Sequence, residues 1–79
     1  MDRTFTVRTG RDLGRAVREA RLASALTQEQ LAQQAGLDRS YLAKMESGLT
    51  VVLLDRIMRV LRQLGADVVV TIPERRDGS

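Results

Sequence analysis

The chain has 79 residues, with 13 Lys and Arg against 10 Asp and Glu, a net charge of +3 and no His, Cys or Trp. A chain this short makes one domain and hides only about 60–65% of its unfolded surface, with neither a disulfide nor a thiolate or imidazole zinc site to staple it. Without imidazole or thiol no Ser–His, Cys–His or HExxH arrangement can be built, so the composition predicts a non-enzyme with no cofactor and no metal.

Residues 4–8 alternate polar and apolar, with Phe5 and Val7 on one side, and predict a short strand. Thr9 and Asp12 then have capping-box spacing, and the period becomes helical. Leu13, Ala16, Val17 and Ala20 make the inner stripe of this first helix, opposite Arg11, Arg15 and Arg18. That Arg row has two readings, a solvated face with Arg15 and Glu19 spaced for an i,i+4 pair, or a track for phosphates.

Thr27 and Gln30 form a second capping box that starts a short helix with Leu31, Ala32 and Ala35 inward. Gly36 ends it, and Asp38 is positioned to cap a third helix over residues 38–47. Two helices joined by a three-residue turn containing Gly predict a helix-turn-helix. In the third helix Tyr41, Leu42 and Met45 share one face and Ser40, Ala43 and Lys44 the other, with Arg39 at the boundary. That outer face is small and polar, which suits a major groove, although a helix of an ordinary bundle can look the same.

Residues 49–54 are unusually apolar for a connection and lead into a fourth helix over residues 54–64. Its inner stripe is Leu54, Ile57, Met58, Leu61 and Leu64, and Val60 lies at the edge. Gly65 closes it, and residues 66–72 predict a strand stopped by Pro73 and followed by a polar, disordered tail over 74–79. The longest apolar runs, residues 51–54 and 68–70, fall far short of the roughly 20 residues that span a bilayer. A Cys-free chain without an apolar leader reads as cytoplasmic.

Residues 28–46, with Gln28, Leu31, Ala32, Gly36, Leu37, Ser40, Tyr41, Leu42, Met45 and Glu46 at their spacing, resemble the helix-turn-helix of the lambda-repressor/Cro-like family, also called XRE. The resemblance implies a mainly α domain of four to five helices that binds double-stranded DNA. It implies that Arg39 and Ser40 reach bases, that Lys44 reaches base or phosphate, and that Gln28 touches phosphate, with Tyr41 either in the core or with its hydroxyl on phosphate. Arg18 and Arg21 are candidates for flanking phosphates, and Glu46 for tying the helix end to its surroundings. Where the family frequently has Gln this chain has Arg39, which leaves the base preference open.

Residues 60–67 running into the last strand are similar to the HipB-like antitoxins. That resemblance implies a homodimeric repressor on an inverted-repeat operator, with a HipA-like serine/threonine kinase toxin as partner; the alternative is a stand-alone XRE-type regulator. Independently, one hydrophobic strand in a small helical domain needs a partner for its backbone. Val68, Val69, Val70 and Ile72 can supply it by pairing across a dimer, or by pairing with residues 4–8 in the same chain, and the two are compatible. The expected organisation is an N-terminal arm over 1–8, a helix-turn-helix domain over 9–65, a dimerising strand over 66–73 and the tail.

Overall fold

The computed structural model describes residues 2–74. The order is β1 (Arg3–Val7), α1 (Gly10–Ala23), α2 (Gln28–Ala35), α3 (Arg39–Glu46), α4 (Val52–Gln63) and β2 (Val68–Ile72). This is the mainly helical class expected, with two short strands. Most of the expected tail, residues 75–79, lies outside the described residues.

Local chemistry accounts for most of the boundaries. Thr9 caps α1 by accepting the Asp12 amide at 3.1 Å, and the Asp12 carboxylate accepts the Arg8 amide at 2.9 Å, one residue before the cap. At α2 the capping box is complete, with the Gln30 amide donating to Thr27 Oγ1 at 3.0 Å and the Thr27 amide to Gln30 Oε1 at 2.9 Å. Gly36 ends α2 in the left-handed region at φ +72°, where a Cβ is disfavoured. Asp38 occupies the N-cap of α3 but its side chain makes no cap bond, contrary to expectation. Ala25, after α1, holds φ +56° without being Gly.

The strands pair antiparallel within the chain, from Arg3 opposite Ile72 to Val7 opposite Val68. This is the intrachain pairing that the sequence left open beside pairing across a dimer, so β2 has a partner in its own chain. Phe5, Val7, Val68, Val70 and Ile72 share the face toward the helices, with Val7 and Ile72 buried, whereas Val69 is 52% exposed on the other face. Glu19, expected beside Arg15, lies 3.8 Å from Arg3 on β1.

The buried hydrophobic side chains are Val7, Ala16, Ala32, Leu42, Met58 and Ile72, a thin core drawn from every element. Gly14 lets α1 and α3 cross closely, since a Cβ there would stand 2.0 Å from the Met45 carbonyl oxygen. The helix α4 begins earlier than expected, at Val52, and only part of its apolar stripe is covered. Met58 is buried and Leu54 and Leu61 half-buried, but Ile57 and Leu64, both expected inside, are exposed, as is Leu37 in the turn between α2 and α3.

Candidate nucleic-acid interface

The angle between α2 and α3 is set by small and apolar side chains, Ala32 on α2 and Leu42 on α3, each 2% exposed. Polar side chains then fix this pair to α1. Arg21 near the end of α1 donates from Nε to Glu46 Oε2 at 2.8 Å and from Nη2 to Oε1 at 2.9 Å, a bidentate pair. Its Nη1 donates to the Leu26 carbonyl at 2.8 Å, and Gln28 Nε2 donates to Glu46 Oε1 at 3.3 Å. The Arg21 and Glu46 side chains are 11% and 4% exposed, so the pair is largely shielded from water.

The pair also sets its own protonation. The Arg21 guanidinium holds the Glu46 carboxyl below the usual carboxylate range, against the upward push of burial, with Gln28 and then Arg18 adding to the pull. Glu46 in turn raises Arg21 above its ordinary value. The resemblance gave Glu46 this tying role. Arg21 is a correction: expected on phosphate, it is turned inward, with donors on all three guanidinium nitrogens engaged inside the chain.

The other residues expected at DNA are exposed, apart from Gln28. Arg39, Ser40 and Lys44 are exposed on α3, and Tyr41 is 60% exposed although the helical pattern grouped it with Leu42. Gln28 is half-buried at the first turn of α2, leaning on Glu46. Arg18 is exposed on α1, and with Arg11 and Arg15 it lines a cleft of about 410 Å³ between α1, β1 and the end of α3. The Arg11 stem lies over Gly48, where a Cβ would come within 2.9 Å of its Cγ. An apolar groove of about 470 Å³ lies beside α3, with Tyr41 and Lys44 at its rim and Leu13, Val17 and Leu54 among its walls.

Chemically, α3 offers the paired donors of Arg39, a hydroxyl and an ammonium, all hydrogen-bonding groups that fit base edges, and α1 adds a row of three cations. The close crossing at Gly14 is a structural requirement that the reading of the sequence missed. The available signal was Gly10 and Gly14 at i,i+4 beside the inner stripe of α1. Among the described residues no group of three or more His, Cys, Asp or Glu is placed to hold a metal, and no helix is long and apolar enough to cross a membrane.

Comparison with known proteins agrees with this geometry. The family described as a helix-turn-helix domain matches residues 12–71. A relative from Sinorhizobium fredii (strain NBRC 101917 / NGR234), the uncharacterized HTH-type transcriptional regulator y4mF, is 29% identical over 70 residues, which cover 89% of this chain and 92% of the relative. No solved structure matches.

Proposed function

The chain belongs to the helix-turn-helix domain family, and from that premise we propose that it is a sequence-specific DNA-binding transcriptional repressor acting as a homodimer on an inverted repeat. The observation that carries the proposal is the exposure of Arg39, Ser40 and Lys44 together on α3, a helix fixed from behind by the Arg21–Glu46 pair. Arg39 reads a guanine through its paired donors, and Ser40 and Lys44 contact neighbouring base edges. Gln28, Tyr41 and Arg18 touch phosphate, with Arg11 and Arg15 extending the track, so affinity falls steeply with salt.

The resemblance of residues 60–67 supports a finer part of the proposal, that this repressor is a HipB-like antitoxin that autoregulates its operon and neutralises a HipA-like serine/threonine kinase. Co-purification with a kinase from a neighbouring reading frame tests that part alone; its failure leaves a stand-alone regulator.

Selection of bound duplexes from a random pool tests the central reading. The expected product is an inverted repeat with half-sites about one helical turn, or 10 base pairs, apart. The Arg39→Ala variant is expected to lose discrimination at one position per half-site, at a cost of about 1–3 kcal/mol. Equal weakening on every sequence would reassign Arg39 to phosphate.

A further inference from the structure

The apolar side chains of α4 divide into two stripes. Leu54, Met58 and Leu61 face the rest of the chain and are half-buried to buried, whereas Leu53, Ile57, Val60 and the C-cap residue Leu64 are 69, 47, 57 and 74% exposed. At about 100° per residue the second set spans a sector only about 60° wide. Its steps of four, three and four residues are those of a helix–helix seam, in which apolar side chains of one helix fill holes on another. Leu49, Val51 and Val52, each at least 63% exposed, lead directly into it.

We infer that this seam is the contact between two copies of the chain, with their α4 helices antiparallel. The spacing itself argues for a second copy, because a four-three-four row reads the same in both directions. A two-fold axis midway between Ile57 and Val60 sets Leu53 against Leu64 of the partner subunit and Ile57 against the partner's Val60. Each layer then joins side chains of similar size, Leu with Leu and Ile with Val. The antiparallel order also opposes the two helix dipoles rather than aligning them.

The area is of the right order. Burying one aliphatic side chain removes roughly 60–120 Å² from water, so seven that are half to three-quarters exposed offer about 400 Å². A standard interface takes about 800 Å² from each partner, of which roughly three-fifths is apolar, or about 480 Å². The seam and its leading residues therefore supply most of the apolar share, and Arg56, Arg59 and Gln63 form a polar rim. The inference rests on the dimeric part of the proposed function and assigns the contact to α4 in place of the strand residues Val68, Val69, Val70 and Ile72, of which Val69 alone has an exposed side chain.

The chain has no Cys, so single Leu53→Cys and Leu64→Cys variants of the full chain give an unambiguous register. After mixing, subunit exchange and oxidation, the mixture is expected to form disulfide-linked dimers at least ten times more readily than either variant alone. Like positions lie about 16 Å apart along antiparallel helices, whereas unlike ones are adjacent. Sedimentation of Ile57→Asp/Val60→Asp is expected to show dimer dissociation strengthened at least 100-fold, with an unchanged circular dichroism spectrum because both side chains are exposed. If a dimer survives that double substitution, or if Leu53→Cys alone links as well as the mixture, this contact is wrong and the dimer stands. A wild-type chain that stays monomeric at tens of micromolar overturns both. Failure to select any DNA would sink the DNA-binding reading while leaving the sedimentation outcome intact.

Discussion

Where α1, α2 and α3 meet, a guanidinium, a carboxylate and an amide converge in a site almost closed to water; where α4 meets the rest of the chain, the contact is apolar and covers one stripe of two. The difference follows from size. With two of the six buried hydrophobic residues being Ala, burial alone contributes little at the α1–α2–α3 junction, and a charge-assisted bidentate bond fixes the angle that packing leaves loose. The proposed function needs the geometry at α3 to be fixed, so that Arg39, Ser40 and Lys44 meet base edges together. On α4 the exposed row has the chemistry of a surface awaiting a cover.

The sharpest way to break this contrast is Glu46→Gln, which removes the charge but keeps the shape and leaves the Arg21 guanidinium shielded and uncompensated. Urea unfolding is expected to show a loss of about 3–5 kcal/mol. The same pair predicts acid sensitivity. Because Glu46 binds its proton less readily folded than unfolded, its contribution is complete above the ordinary value of 4.5 and is lost as pH falls through the lower folded value. A melting temperature that is flat from pH 6 to pH 3 would remove this account.

Next in size, Met58→Ala is expected to cost about 2–4 kcal/mol, against less than about 0.5 for Ile57→Ala one position away when both are measured on dilute monomer. Equal losses would mean that the two stripes are not distinct. Gly14→Ala should cost about 1–3 kcal/mol, because the new methyl meets the backbone of α3 and the crossing must open; affinity for DNA should fall with it. The smallest effect has the opposite sign. Ala25→Gly relieves a left-handed residue and should stabilise by about 0.5–1 kcal/mol in thermal unfolding.

How far the sequence could be read depended on the range of the interactions. The Thr9 and Thr27 caps, the Gly36 stop and the α2–turn–α3 unit are set by residues a few positions apart, and they came out as read, apart from the missing side-chain bond at Asp38. Arg21 did not. On a helical wheel it sits about 60° round from Arg18, and only the position of α3 on that side turns its guanidinium inward. Ile57 and Leu64 carry the same signal as Met58, since apolar periodicity reports that a face avoids water without naming what covers it. The exposed Arg39, Ser40 and Lys44 were legible because their surroundings are local to α3.

The pairing of β1 with β2 bears on the order in which the molecule can be made. Val7 bonds to a strand that begins at Val68, so during synthesis β1 leaves the ribosome first and has no partner until all four helices have followed it. The local helical hairpin can form in that interval, but the two-stranded ribbon must close across nearly the whole described chain, the most expensive loop in the fold. A chain cut before Val68 should therefore keep the local α2–turn–α3 unit with its first strand unpaired, and the meeting of β1 with β2 is the step that closes the fold.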